Sequence, residues 1–165
     1  MKKLIDYSGG LTENQLYRLI ESYSNKSTGF RFSGQNLDFA LSQSLFSSFK
    51  IDPGSKLLLK GLAKSIDLSS PKYFLDSGCG TGVLGLSIAS QNHDSRGILE
   101  DRDALATAFS QYNAQQNRIS NIKTRTSLLL DDNEGPYDLI ASNIPAKAGI
   151  PVIEKFFKRI KHIVK

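Results

Sequence analysis

Cysteine is nearly absent: Cys79 is the only one in 165 residues. One thiol excludes an internal disulfide framework and a cysteine-rich metal site. A reducing, cytoplasmic setting is the expectation that follows. Histidine is limited to His93 and His162; both are expected at the surface, and nothing in the pattern calls for a metal. No apolar run approaches membrane-spanning length. Met1-Lys2-Lys3-Leu4-Ile5-Asp6 has two lysines with no apolar stretch behind them, so no secretory signal is expected. Nor is there a broad basic stripe. Lys155, Lys158, Arg159, Lys161 and Lys165 against Glu154 leave +4 of the net +5 in the last twelve residues. That cluster reads as the solvated face of a final helix more readily than as a nucleic-acid footprint.

What is present is an ordinary globular composition, 39% hydrophobic and 22% charged, in a chain long enough for one domain with a real core. Leu16, Leu19, Ile20 and Tyr23 recur at helical spacing behind a Thr12 cap. Thr28 to Ser33 and Leu37 to Leu41 alternate, and Gly34-Gln35-Asn36 between them predicts a hairpin. Asp52 caps the next helix and Pro53 takes its first position. After Ser69-Ser70-Pro71 strands and helices alternate. Strands are expected at Tyr73–Asp76, Gly97–Glu100, Ile122–Thr126 and Tyr137–Ser142. Helices are expected at Val83–Ser90, Ala104–Asn117 and from Pro151 onward. This order predicts an α/β fold: a Rossmann-like, doubly wound, mostly parallel sheet with right-handed crossovers, preceded by an N-terminal helix and β-hairpin. Residues 1–50 read as that extension and residues 51–165 as the main domain.

The most informative stretch is Tyr73-Phe74-Leu75-Asp76-Ser77-Gly78-Cys79-Gly80-Thr81-Gly82. An apolar strand ends in an acid, and a glycine-rich turn leads into a helix. Glycines permit positive φ and let a ligand approach the backbone, and ligands of such sheets bind at the carboxyl ends of the strands. Gly80-Thr81-Gly82-Val83-Leu84-Gly85 matches the dinucleotide pattern G-x-G-x-x-G literally. Asp76 argues against that reading, because a carboxylate beside the loop would face a pyrophosphate unfavourably. It suits a cofactor with a cationic amino acid end and no phosphate, as in S-adenosylmethionine. Asp76, Gly78, Cys79, Gly80, Thr81 and Gly82 are therefore the expected cofactor-binding residues. Cys79 is expected to pack in the turn rather than react. A second acid is needed near the end of the second strand for the ribose hydroxyls; Asp101 is the choice and Glu100 the fallback, while Asp103 reads as a helix N-terminal acid.

The fourth strand runs into Ser142-Asn143-Ile144-Pro145-Ala146, which resembles the D-P-P-Y or N-P-P-Y loop of amino-group methyltransferases. Ala106 and Asn113 follow Asp101 at the spacing seen in many methyltransferases. Phe46-Ser47-Ser48-Phe49-Lys50-Ile51-Asp52-Pro53-Gly54-Ser55-Lys56-Leu57-Leu58-Leu59 resembles the F-S-x-x-x-L-D-x-G-S-x-L-L-L block of "small" methyltransferases, which precedes their cofactor loop. Together the three blocks resemble the catalytic domain of ribosomal RNA guanine methyltransferases, which modify the exocyclic amine, from about Thr28 onward.

The resemblance implies S-adenosylmethionine-dependent transfer to an amino group of RNA. An exocyclic amine is a poor nucleophile because its lone pair is delocalised. The Asn143 oxygen and the Ile144 carbonyl would accept its two N–H groups and turn the lone pair toward the methyl group. Pro145 would hold the loop's shape. Two further readings stay open: amide methylation of a protein glutamine, and a non-catalytic cofactor- or RNA-binding module. The sequence departs from the family at Ile144, where a proline is usual, and at Ala146, where an aromatic stacks on the base. Phe30, Phe32 or Phe46 would have to compensate. Ser127 occupies a position that often carries an acid for the adenine amine, and Asp131 and Asp132 lie further along. The family sheet has seven strands, three of them after the Asn-Pro loop. Here Asn143 to Lys165 reads as a loop and one helix, so the domain is expected to be truncated, with an exposed fourth strand inviting a homodimer or another partner.

Overall fold

The computed structural model describes residues 11–45, 50–128, 130, 135–144 and 148–165. Helix α1 spans Glu13–Tyr23 and opens on a reciprocal box: the Thr12 hydroxyl accepts the Gln15 N–H, and the Gln15 side chain accepts the Thr12 N–H. It buries Leu16 and Ile20. Strands β1 (Lys26–Phe32) and β2 (Gln35–Leu41) pair antiparallel with Phe32 opposite Gln35. The turn is therefore Ser33-Gly34, not the expected Gly34-Gln35-Asn36. Both turn residues have positive φ, 43° and 87°. That backbone matches the twist of the flanking strands, so the hairpin closes one residue tighter and both strands run longer.

Helix α2 (Pro53–Ser65) starts where the Asp52-Pro53 signal placed it. The alternating half gives β3 (Tyr73–Ser77), α3 (Val83–Ala89), β4 (Arg96–Asp101), α4 (Ala104–Gln116) and β5 (Ile122–Thr126). Then come β6 (Leu139–Ala141) and α5 (Ile150–Ile163). The four-stranded parallel sheet has the order β5-β4-β3-β6. Winding proceeds outward from β3 to β5, then jumps back to place β6 on β3's other side. Such a reversal opens a crevice at the carboxyl ends of β3 and β6.

One apolar cluster joins the hairpin to the sheet: Phe32, Leu37, Phe39 and Leu41 pack with Phe74, Leu86 and Leu99. Asn113 on α4 and Asn117 at its C-cap reinforce that joint. The Asn113 amide pairs with both backbone groups of Ala40, and the Asn117 amide does the same with Asp38. Side chains thus satisfy the open edge of β2 as a neighbouring strand would.

The other sheet face is covered by Phe156 and Ile163 of α5, packed with Leu75, Leu130 and Tyr137. Phe157, beside Phe156, is 59% exposed, and Ile163 takes the inward place. The fourth parallel strand is also shorter than expected. Tyr137 leaves it to stack on Tyr73 with ring centroids 4.5 Å apart. It also forms a lone parallel bridge with Val164: the Tyr137 N–H donates to Ile163 O at 2.7 Å, and the Lys165 N–H donates to Tyr137 O at 2.9 Å. Tyr137, just ahead of β6, is thus partnered by Val164, where no neighbour was expected. Among the described residues no helix is long and apolar enough to cross a membrane.

Candidate functional site

The glycine loop is fastened from beneath. β3 delivers Asp76 and Ser77 to the crevice, both almost fully buried. The Gly78 and Cys79 N–H groups donate to Glu100 O at 2.8 and 2.9 Å, which docks the loop on β4. Gly78, Gly80 and Gly82 all have positive φ. A side chain at Gly82 would press on Ser110 and Leu86, whereas Gly78 and Gly80 face open space. The loop is packed on its inner side and bare where it meets solvent. Thr81 is tied to α4, its carbonyl accepting from Asn113 Nδ2 at 2.9 Å, and the Gly80 carbonyl accepts from Ser110 Oγ at 2.9 Å.

Asp76 is 1% exposed, and its Oδ2 accepts the Gly85 N–H at 2.7 Å. Burial pushes its pKa up to about 7, against which the Gly85 hydrogen bond works, and the negative charges of Asp101 and Glu100 add to the rise. The close approach explains Gly85: a Cβ there would lie 2.9 Å from Asp76 Oδ2 and 2.7 Å from Leu99 Cγ. Cys79 is buried, its Sγ accepts from Ser110 Oγ at 3.3 Å, and burial holds the thiol well above its ordinary pKa. It packs in the turn as expected.

The two acids at the end of β4 separate cleanly. Glu100 is 1% exposed and fully engaged: it accepts from Ser77 Oγ at 2.9 Å, from Leu130 N at 3.2 Å and from Arg125 Nη2 at 2.9 Å. It braces the loop's underside and has no face toward a ligand. Asp101 is half-buried at the crevice, with Oδ2 on the Gly80 N–H and Oδ1 on the Asp103 N–H, each at 3.0 Å. Asp103 caps α4 through the Leu105 N–H.

On the other side of β3, Ala141 stands opposite Asp76, so Asn143 leaves the sheet two residues further, beside the glycine loop. Ser142 Oγ donates to Ser77 O at 2.7 Å and ties the two strand ends together. Asn143 is half-buried, and its Nδ2 donates to Asp52 Oδ2 at 2.8 Å and Ser55 Oγ at 3.0 Å. Ile144 packs against the Leu75, Tyr137 and Phe156 cluster, an apolar anchor where the resembled loop has a proline. Pro145, Ala146, Phe46, Asp131 and Asp132 lie outside the described residues. Of the aromatics offered as stacking partners, Phe32 is core, and Phe30 is half-buried and stacks on Phe32 at 6.4 Å. Ser127 is buried, and its N–H donates to Asp101 O. His93 and His162 are exposed as expected.

Asp76, the loop residues 78–82, Asp101 and Asn143 thus gather at one crevice. Sequence reasoning missed the braces: Asn113 on Thr81, Arg125 on Glu100, and Asp52 with Ser55 on Asn143. Asp52 reads in sequence only as a helix cap, and its membership in the Asp-x-Gly-Ser block was the available signal for more.

Residues 36–165 match the family model of the methyltransferase small domain. The chain is 33% identical over 139 residues to the uncharacterized protein YbxB of Bacillus subtilis, covering 82% of this chain and 68% of that protein. It is 36% identical over 106 residues to ribosomal RNA small subunit methyltransferase C of Actinobacillus succinogenes, covering 64% of this chain and 30% of that protein. Among solved structures, a 16S rRNA N2 methyltransferase of T. thermophilus, in complex with AdoMet and guanosine, superposes with a TM-score of 0.75. Identity is 22%, over 85% of this chain and 39% of that one. A ribosomal protein L11 methylase from Lactobacillus delbrueckii subsp. bulgaricus superposes at 0.61 with 22% identity, over 74% and 60%. These two likenesses concern the fold. The chain spans about a third of the length of the ribosomal RNA methyltransferases it matches.

Proposed function

The chain belongs to the methyltransferase small-domain family, and we propose that it transfers a methyl group from S-adenosylmethionine to an amino group of RNA, a guanine amine in ribosomal RNA above all. The observation that carries this reading is the meeting of the glycine loop, Asp101 and Asn143 at the reversal point of the sheet. The cofactor, when bound, supplies an electrophilic methyl group on a sulfonium and a cationic amino acid end. The site fits it. Asp76 and Asp101 put carboxylates beneath and beside the loop, which favours a cation and opposes a pyrophosphate. The bare outer side at Gly78 and Gly80 lets a ligand lie against the backbone of Gly78, Cys79, Gly80, Thr81 and Gly82.

Each residue then has a task. Asp101 accepts hydrogen bonds from the ribose hydroxyls. Asp76 ties β3 to the first turn of α3 through Gly85 and places its charge under the cationic end. Asn143 Oδ1 and the Ile144 carbonyl accept the two N–H groups of the acceptor amine, and Pro145 stiffens the loop around them. Residues 51–165 form the methyltransferase unit, and α1, β1 and β2 brace it. Among the described residues β6 has β3 as its one strand neighbour, and its other edge is where a second copy would add.

Calorimetric titration tests the cofactor half of this reading. S-adenosylmethionine and its demethylated product should bind, and a nicotinamide dinucleotide should not. Dinucleotide binding without S-adenosylmethionine binding would overturn it.

A further inference from the structure

The Asn143 amide has two N–H groups, and both are taken by residues about ninety positions upstream. Nδ2 donates to Asp52 Oδ2 at 2.8 Å and to Ser55 Oγ at 3.0 Å. The same Asp52 oxygen accepts the Ser55 N–H at 2.9 Å as the cap of α2. Turning the amide over would set its oxygen against a carboxylate, so the orientation is dictated. The Asn143 oxygen accepts no hydrogen bond from a described residue. Space is held open for the arrangement at Gly54. A Cβ there would lie 2.7 Å from Asp52 Oδ2 and 3.0 Å from Asn143 Oδ1. The three residues belong to one short segment, Asp52-Pro53-Gly54-Ser55, that enters α2.

We propose that Asp52, Gly54 and Ser55 form a positioning cradle for Asn143, which aims its oxygen at the acceptor amine and strengthens it as an acceptor. The inference rests on the reading of Asn143 as the residue that holds that amine. Two physical effects act. Fixing the amide removes its rotational freedom before substrate arrives. Donation to a charged carboxylate polarises the amide, and electron density moves through its resonance onto Oδ1. An amine that gains positive charge as it is methylated meets a stronger acceptor at that moment, and the benefit falls on turnover rather than on binding.

The test has one part that needs no activity and one that does. Asparagine is as good a helix cap as aspartate and serine nearly so, so Asp52→Asn and Asp52→Ser both keep α2. In the protein without substrate, the Asn143 side-chain amide pair is identified in the 15N spectrum by its loss in Asn143→Ala. It should be shifted and slow to exchange, and Asp52→Ser and Ser55→Ala should both relax it. An amide pair unmoved by Asp52→Ser overturns the cradle, whatever the protein methylates. In methyl-transfer assays, Asp52→Asn and Gly54→Ala should each lower kcat by about tenfold or more, the loss of one aimed hydrogen bond, with cofactor affinity unchanged. Asp52→Ser combined with Asn143→Ala should be no slower than Asn143→Ala alone. Multiplying losses would show that Asp52 acts independently of Asn143 and would overturn the positioning role. Absence of transfer by the wild-type protein would remove the acceptor reading itself, and the amide spectrum would still decide whether the cradle exists.

Discussion

Asp101 holds the backbone N–H of Gly80 at 3.0 Å, although 21 positions separate the two in the chain. The acid proposed to hold the ribose is thus already oriented by the loop against which the cofactor is proposed to lie. Its other oxygen is steadied by the Asp103 N–H. Asp101→Ala should therefore weaken S-adenosylmethionine binding by about ten- to a hundredfold, the loss of charge-assisted hydrogen bonds worth about 1.5–3 kcal/mol. Calorimetric titration measures this. An unchanged affinity would remove Asp101 from the cofactor site.

Asp76 predicts a pH dependence. Burial raises its pKa from an ordinary carboxyl value to about 7 in the folded chain. The stability it contributes is fully present below about pH 4, the unfolded value, and is lost as pH rises through about 7. Over the steep part the loss approaches about 1.4 kcal/mol per pH unit. Asp76→Asn, which still accepts the Gly85 N–H, should flatten the urea-unfolding profile between pH 4 and about 7. A cationic cofactor end favours the ionised form, so binding near pH 7 should release protons, visible as a buffer-dependent calorimetric heat. An Asp76→Asn profile as steep as the wild type would show that this carboxyl does not titrate there.

Asn143→Ala should divide the two halves of the site. Cofactor affinity should stay within about twofold, while kcat falls by about tenfold or more for the lost acceptor hydrogen bond. Loss of cofactor affinity in a folded protein would mean that Asn143 serves the wrong partner.

Asn113→Ala should loosen the hairpin from the sheet. The Asn113 amide serves Ala40 N, Ala40 O and Thr81 O, and the side chain is fully buried. At about 0.5–1.5 kcal/mol per hydrogen bond, the loss is about 1.5–4.5 kcal/mol by urea unfolding. Hydrogen exchange should quicken at Ala40 and through the 78–82 loop together. Faster exchange at Ala40 alone would mean that the loop does not depend on α4.

Among the described residues β6 pairs only with β3, and the proposed partner surface on its other edge predicts self-association. Sedimentation should show a dimer whose formation protects the Leu139–Ala141 amides from exchange. A monomer at all concentrations would remove that edge as a partner surface.

Local signals carried most of the fold. Asp52-Pro53 placed the start of α2, and the change to alternating strands and helices after Pro71 placed the parallel sheet. Each depends on residues near one another in the chain. Departures arose where distant groups decide. Tyr137 reads as strand, yet the chain terminus draws it into a bridge with Val164. Phe157 shares the helical stripe with Phe156, but only Phe156 meets Leu75 and Tyr137. In the site, Glu100 and Asp101 are adjacent and chemically alike. Strand alternation sends one beneath the loop to Arg125 and leaves the other beside Gly80. The Asn143–Asp52 pairing had no local signal at all, since neither residue's neighbours reveal the other.

The central claim is methyl transfer to an RNA amine, and labelled transfer tests it most directly. The protein is incubated with S-adenosylmethionine carrying a labelled methyl group, with small-subunit ribosomal RNA and release-factor protein side by side, and both are digested and resolved. The account predicts label in the RNA, on the exocyclic amine of guanosine. Label in glutamine of the protein and none in RNA would contradict it, as would binding of the cofactor with no transfer to either.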